Sequence, residues 1–152
     1  MNKRTWGPII WIFIHTLSYK IKEESFPEQK DNLLKILRIL FSSLPCPYCS
    51  SHAMKLFKQS NLKLITNKDS FIDYLYAFHN NINRRLKKAN FPKVALNKKY
   101  ENINFATVVR NFLTVYSTRH TNNLKSIMLN NSKSTSKHIM NILVSNKECY
   151  LN

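Results

Sequence analysis

Glycine is almost absent from this chain, which has 152 residues and one glycine, Gly7. Glycine supplies the left-handed backbone of tight hairpins and the close backbone approach of phosphate-binding loops. Neither the dinucleotide pattern G-x-G-x-x-G nor a P-loop can be written with Gly7 alone. The composition therefore favours helices over hairpin-rich sheets, and any nucleotide ligand would need another kind of site.

Hydrophobic residues recur with helical periodicity along most of the chain, which predicts an all-α fold. With 43% hydrophobic and 12% aromatic residues, the chain can bury a core without a metal or disulfide framework. Thr5 is a predicted N-cap, and Ser25 to Glu28 have the spacing of a capping box. The predicted helices cover about residues 5–20, 25–44, 46–58, 66–88 and 105–116.

The remaining segments are predicted to be less regular. Pro92 and mixed polarity indicate a connection over residues 90–104, and residues 120–136 are predicted to be a polar linker. Ile139 and Leu143 belong to either a short terminal helix or a frayed tail. We therefore expect a helical domain over residues 1–119 and a polar linker with a C-terminal extension over residues 120–152.

The formal net charge is +16, from 24 Lys and Arg against 8 Asp and Glu. Such a charge makes anionic partners, including nucleic acid, candidates, but a Lys- and Asn-rich composition can equally reflect an AT-rich genome, and a high net charge also favours solubility. Lys3 and Arg4 precede an apolar stretch in the manner of a signal peptide, yet no cleavage site follows and no apolar run reaches the roughly 18 residues of a membrane span. We expect an unprocessed cytoplasmic protein.

Cys46 and Cys49 form a C-x-x-C pair, one helical turn apart, that can form a disulfide or bind a metal through two thiolates. Pro45 places Cys46 at a helix start, where amide groups and the helix dipole favour a thiolate. A zinc site with His52 and another histidine is an alternative, as are two inert buried cysteines. Cys149 is left over and is expected to be inert.

Two further motifs flank the cysteines in sequence. Trp11 and His15 lie four residues apart on the first predicted helix, and His79, Asn80 and Asn83 form an H-N-x-x-N motif on the fourth. Taken singly, such histidines and tryptophans are more often parts of a core than of a ligand site. Their order along the chain, W-x-x-x-H, then C-x-x-C, then H-N-x-x-N, is more specific than any of its parts.

In this order the motifs resemble those of the Erv/ALR family of FAD-linked sulfhydryl oxidases, over about residues 5–100 and most closely the short members from large DNA viruses. The resemblance implies a four-helix bundle of the Erv/ALR type, here with a fifth helix and the C-terminal extension. It further implies a homodimer that holds FAD beside the C-x-x-C pair, in the host cytoplasm or in a virion. Such a protein oxidises dithiols and reduces molecular oxygen to hydrogen peroxide.

The resemblance also implies roles for individual residues. Cys49 would be the thiol next to the flavin, and Cys46 the thiol that exchanges with substrate. Because the chain has no second cysteine pair, its partner would be a dithiol protein or a thioredoxin-like relay protein, or the relay would involve Cys149 between subunits. The competing hypothesis is a basic helical nucleic-acid-binding module with structural or zinc-bound cysteines. The cofactor-binding residues implied are Trp11, His15, Cys49, His79, Asn80, Asn83, Lys88 and Tyr100.

Overall fold

Seven α-helices make up most of the part of the chain that the structure describes. The structure is a computed structural model that describes residues 3–117 and 126–152. Within these ranges there is no strand, only an isolated antiparallel bridge between Ile21 and Tyr150. The prediction of an all-α fold is confirmed. The helices are α1 (Lys3–Lys20), α2 (Phe26–Ser42), α3 (Pro47–Gln59), α4 (Lys68–Arg85), α5 (Val94–Tyr100), α6 (Phe105–Ser117) and α7 (Ser126–Ser145), with short 3-10 helices at Leu62–Leu64 and Lys147–Cys149.

Helix α1 lies in the middle of the core, packed against α4 and α6, while α2 packs against α3 and α7. Phe13 of α1 is fully buried and stacks on Phe112 of α6, with ring centroids 4.1 Å apart. Phe41 of α2 stacks on Phe78 of α4 at 4.7 Å. Burying one such ring contributes about 1.5–3 kcal/mol. These aromatic pairs therefore connect the helices into one bundle.

Two helix starts follow local capping chemistry, whereas the predicted N-cap Thr5 lies inside α1, which begins at Lys3. Cys46 is the N-cap of α3, as predicted, and its sulfur accepts a hydrogen bond from the backbone N–H of Cys49. Helix α4 begins with a capping box in which the Ser70 N–H donates to Asn67 Oδ1 (2.8 Å) and the Asn67 N–H donates to Ser70 Oγ (3.0 Å). The capping box predicted at Ser25 is wrong, because Ser25 has helical rather than extended backbone angles and its side chain caps no N–H of the described residues.

Helix α4 ends at Arg85, three residues before the predicted end at Lys88. The Lys88 N–H donates to the Asn83 carbonyl (2.9 Å), and the Lys87 N–H donates to the Arg84 carbonyl (3.1 Å). This is a Schellman motif, whose left-handed position is usually glycine. In this chain Lys87 occupies it, with φ of 54°.

The predicted connection over residues 90–104 contains helix α5. Pro92 lies just before the helix, where its fixed φ and missing N–H are tolerated, so it marks a helix start rather than an irregular segment. Only Leu96 and Tyr100 of this helix are buried. Two buried positions in seven residues give too weak a periodicity to be detected in the sequence.

The C-terminal helix is longer than the sequence analysis predicted. Helix α7 has 20 residues and includes most of the predicted polar linker, whereas residues 118–125 of the predictions lie outside the described residues. Ile139 is fully buried, and Tyr150 belongs to the same core cluster, so residues 134–152 are not a frayed tail. The Leu151 N–H donates to the Lys20 carbonyl at 2.7 Å. The boundary at residues 119 and 120 stays a prediction.

None of the helices within residues 3–117 and 126–152 combines the length and the apolarity that crossing a membrane requires.

Candidate active site

A cavity of about 740 Å³ opens at the end of the bundle where α1 and α3 begin and where α2 and α4 end. Its volume lies within the range of about 300–1,000 Å³ that is usual for small-molecule and cofactor sites. Trp6, Ile10, Phe41 and Phe78 give it apolar walls. The segment from Lys88 to Tyr100 closes one side.

The two predicted redox cysteines form a disulfide at this end of the bundle. Cys46 and Cys49 are bonded, with their Cα atoms 5.1 Å apart, and both are half-buried. Cys49 lines the cavity, whereas Cys46 precedes the first turn of α3 and is not among the described lining residues. The Cys49 N–H lies 3.2 Å from the Cys46 sulfur. The helix N-terminus therefore provides a donor for the thiolate that reduction would produce.

The tryptophan and the histidines come together from α1 and α4. The Trp11 and His79 rings are stacked, with centroids 3.7 Å apart and planes within 8°. His15 Nε2 lies 3.0 Å from His79 Nδ1, and the His15 ring stacks on Tyr100 at 5.1 Å. Trp11, His79 and Tyr100 line the cavity, and His15 lies behind them, only 1% exposed. Burial raises the pKa of Tyr100 to about 12, so its phenol stays neutral.

Both histidines are neutral at physiological pH. Burial, followed by the proximity of His79 and Lys99, lowers the pKa of His15 to about 3. Burial, followed by Lys99 and Lys88, lowers the pKa of His79 to about 4. A neutral imidazole has one donor and one acceptor nitrogen, whereas two imidazolium rings would place donor against donor. The hydrogen bond between the two rings requires that at least one of them is neutral, and here both are.

The direction of that hydrogen bond follows from the one buried nitrogen that has no partner. His15 Nδ1 is buried and makes no hydrogen bond within the described residues. Orphaned N–H groups are rarer in proteins than unsatisfied acceptors. We therefore assign the proton to His15 Nε2, which donates to His79 Nδ1 and leaves His79 Nε2 protonated.

The two asparagines of the H-N-x-x-N motif hold the neighbouring chain segment. Asn80 is buried, its Nδ2 donates to the Phe91 carbonyl (3.2 Å), and the Phe91 N–H donates to its Oδ1 (2.9 Å). Asn83 Nδ2 donates to Asn80 Oδ1 at 3.4 Å. Phe91 lines the cavity, but neither asparagine is among its described lining residues. Their observed role is to position Phe91, and direct cofactor contact stays a prediction.

Basic residues surround the opening of the cavity, and the described lining residues include no Asp or Glu. The predicted Lys88 is one of them, and sequence reasoning missed the other three, Arg4, Arg85 and Lys99. They belong to no motif, and their charges are scattered along the chain, so no local signal identified them. Their positive charges favour an anionic ligand in the cavity.

Tyr48, inside the C-x-x-C pair, was also missed. It is 70% exposed, and the Arg85 guanidinium lies over its ring, 5.1 Å from the centroid. The same guanidinium donates a hydrogen bond to the Tyr48 hydroxyl. This pair links the first turn of α3 to the last turn of α4 beside the disulfide.

The zinc alternative finds no site here. The Cys46 and Cys49 sulfurs are bonded to each other. Across residues 3–117 and 126–152, no group of three or more His, Cys, Asp or Glu side chains is arranged to hold a metal ion.

The cysteine pair and the two aromatic and histidine motifs lie within one region that matches a known protein family. The model of the Erv1 / Alr family matches residues 8–102, a range that contains every predicted site residue from Trp11 to Tyr100. The chain belongs to the Erv1/Alr family. Helices α6 and α7 lie outside the part that matches the Erv1/Alr model.

Relatives of this Erv1/Alr chain include viral and cellular proteins. The FAD-linked sulfhydryl oxidase of African swine fever virus (isolate Pig/Kenya/KEN-50/1950) is 36% identical over 100 residues, which cover 64% of this chain and 78% of that protein. FAD-linked sulfhydryl oxidase ERV1 of Arabidopsis thaliana is 30% identical over 92 residues, covering 60% and 48%. FAD-linked sulfhydryl oxidase ERV2 of Saccharomyces cerevisiae is 27% identical over 86 residues, covering 57% and 43%.

The chain thus spans about half, or less, of these two cellular relatives and more than three quarters of the viral one. No solved structure matches the chain significantly.

Proposed function

We propose that this protein is an FAD-linked sulfhydryl oxidase that forms disulfides in partner proteins and delivers the electrons to molecular oxygen, giving hydrogen peroxide. The observation that carries the proposal is the position of the Cys46–Cys49 disulfide. Its Cys49 lines the same cavity as the stacked rings of Trp11 and His79. The names of the relatives support the same activity.

The cavity fits FAD in three respects. Its volume suits a dinucleotide, its Trp11, His79 and Tyr100 rings provide stacking surfaces, and Arg4, Lys88 and Lys99 provide positive charge for the pyrophosphate. When bound, FAD supplies a two-electron acceptor that oxygen can reoxidise. Trp11, His79, Lys88 and Tyr100 would hold it, and His15 would keep the His79 ring in place. For Asn80 and Asn83 we propose an indirect role through Phe91.

The protein's own thiol chemistry begins at Cys46. A substrate thiolate attacks the Cys46 sulfur, the Cys46–Cys49 bond breaks, and a mixed disulfide forms while Cys49 leaves as a thiolate beside the cavity. The second substrate thiolate then attacks the substrate sulfur of the mixed disulfide and releases the Cys46 thiolate. The substrate departs as a disulfide, and its two electrons remain on the reduced Cys46 and Cys49 pair. The Cys46 thiolate is stabilised by the Cys49 N–H, which lies 3.2 Å from the Cys46 sulfur.

The His15 and His79 pair fixes the orientation of a ring that lines the cavity. Because both rings are neutral, the His15 to His79 hydrogen bond persists across physiological pH and holds His79 parallel to Trp11. The flat surface of Trp11 and His79 in the cavity therefore keeps its shape and charge across physiological pH.

The identity of the partners rests on the family resemblance. We propose a protein dithiol, or a thioredoxin-like relay protein, as the electron donor, a homodimeric assembly, and a cytoplasmic site of action in a host cell or virion. The competing hypothesis of a nucleic-acid-binding module rests on net charge alone, because the cysteines are bonded to each other rather than arranged around zinc.

The decisive experiment measures the visible absorption spectrum of the purified protein and then its oxygen uptake with dithiothreitol. We expect a flavin spectrum and oxygen uptake matched by the formation of hydrogen peroxide. A protein that stays colourless after incubation with FAD, and that consumes no oxygen, would overturn the proposal.

A further inference from the structure

The acidic residues of this chain are unevenly distributed. Residues 32–68 and 74–100 contain no Asp or Glu, although they include α3, α5 and most of α2 and α4. These two stretches also provide most of the residues that line the cavity. The eight acidic residues are Glu23, Glu24, Glu28, Asp31, Asp69, Asp73, Glu101 and Glu148.

Most of the acidic residues gather at the end of the bundle where α2 and α4 begin. Burial lowers the pKa of Lys68, and Glu23, Asp69 and Glu24 oppose this shift, so they lie near its ammonium group. Glu148 also belongs there, since the carbonyl of the next residue, Cys149, accepts a hydrogen bond from the Lys22 N–H at 2.8 Å. We call this region the acidic end.

The disulfide lies at the other end of the same helices. A helix with the 17 residues of α2 is about 25 Å long, whereas charges in physiological salt are screened within about 8 Å. The carboxylates of the acidic end therefore do not neutralise the basic residues near the disulfide. For the same reason Cys149, which lies at the acidic end, cannot exchange with Cys46 of its own chain in this conformation.

The surface beside the disulfide offers both a ring and positive charge. Tyr48 is 70% exposed with Arg85 over its ring, and the exposed Lys55 lies seven residues after Tyr48, on the same face of α3. We call Tyr48, Lys55 and Arg85 the disulfide face. The guanidinium of Arg85 has further N–H groups with which to bind a carboxylate.

We propose that the disulfide face binds a protein segment whose dithiol is flanked by acidic side chains. The inference rests on the proposed function and names the chemistry of its substrate. Acidic side chains beside the incoming thiols would meet Arg85 and Lys55, while the Tyr48 ring packs on the peptide. Opposite charges raise association rates, and they also disfavour partners with basic residues next to their cysteines.

The test compares two synthetic peptides that share one Cys-x-x-Cys core, flanked by Glu in one and by Lys in the other. Oxygen uptake is measured with each peptide and with dithiothreitol, at about 20 and 200 mM salt. We expect kcat/KM at low salt to be at least about tenfold higher for the Glu peptide, and this advantage to shrink at high salt. Oxidation of dithiothreitol should be nearly independent of salt.

Two charge reversals, one at the exposed Lys55 and one at the half-buried Lys30, compare the two ends of the bundle. Lys55→Glu changes the disulfide face, and Lys30→Glu makes the same change near the acidic end. We expect Lys55→Glu to lower kcat/KM for the Glu peptide about three- to tenfold. Lys30→Glu should have little effect, and oxidation of dithiothreitol should be equal in both variants.

Four results would overturn the inference. Equal kcat/KM for the two peptides, or equal effects of the two variants, would contradict the preference for an acidic partner. Neither result would contradict the proposed oxidase function. A duplex oligonucleotide that blocks peptide oxidation, and that Lys55→Glu binds more weakly than Lys30→Glu, would identify the face as a nucleic-acid surface instead. Failure to oxidise dithiothreitol would overturn the proposed function and this inference with it.

Discussion

The part of the chain that matches the family model and the part that follows it share a core but differ at the site. All described residues that line the cavity lie between Arg4 and Tyr100, and α6 and α7 provide none of them. These two helices nevertheless bury Phe112 and Ile139 in the same core cluster as α1. The C-terminal helices therefore support the helix that carries Trp11 without forming the site. Chemistry and stability should accordingly be separable by mutation.

The largest expected effect is a loss of catalytic activity in a variant that still folds. Cys49→Ser removes the thiol beside the cavity, so oxygen uptake with dithiothreitol should be abolished, while flavin content and unfolding midpoint should stay close to those of the reduced wild type, which likewise lacks the Cys46–Cys49 bond. Cys149→Ser is the matched control, because Cys149 lies at the other end of the bundle, and it should keep full activity. Residual turnover in Cys49→Ser would contradict the assigned role.

A substitution in α6 tests whether the free energy of unfolding can be lowered without a change in catalytic activity. Phe112→Ala removes a fully buried ring that stacks on Phe13, and it should lower the free energy of unfolding by about 3–5 kcal/mol in urea titrations. Molecules that remain folded should keep wild-type kcat. If kcat fell in fully folded protein, the separation of the two regions would be wrong.

A pH titration tests the histidine pair within the matched region. The pKa values of about 3 for His15 and about 4 for His79 lie below the usual 6.5, so the unfolded chain binds more protons than the folded one between pH 6.5 and 4. The free energy of unfolding should therefore fall by about 2–4 kcal/mol as the pH drops from 7 to 4.5. The His15→Gln, His79→Asn double variant should show a smaller fall, and an unchanged pH dependence would contradict burial of neutral rings.

The smallest effect concerns the end of α4. Lys87 has φ of 54°, so Lys87→Gly should relieve a left-handed backbone and raise the free energy of unfolding by about 0.5–1 kcal/mol. Lys87→Ala keeps the side-chain Cβ and should be nearly neutral. Equal unfolding midpoints for the two variants would show that the conformation costs nothing.

What the sequence predicted correctly was determined by local chemistry or by a family motif. The start of α3 at Cys46 follows from Pro45, and the stripe of α6 follows from its helical periodicity. Trp11, Cys49, His79, Lys88 and Tyr100 of the predicted set line the cavity. Their contacts with a cofactor stay predictions.

What the sequence missed depends on contacts between distant segments. The length of α7 was underestimated because Ser, Asn and Lys dominate its first half, and its second half buries Ile139 only against other helices. The Arg85 to Tyr48 contact joins residues 37 positions apart, Tyr48 occupies a variable position of the C-x-x-C motif, and Arg85 belongs to no motif. Asn80 bonds the backbone of Phe91, which no local pattern indicates.

The pairing of the end of α1 with the C-terminal segment has a consequence for synthesis. Lys20 Nζ donates to the Asn152 carbonyl, across a sequence separation of 132 residues. At about 5–20 residues per second, a ribosome needs on the order of ten seconds to add the residues between them. During that time α1 lacks its last neighbours, and its apolar surface stays accessible to chaperones. The nascent chain can complete its bundle only after translation has passed residue 150.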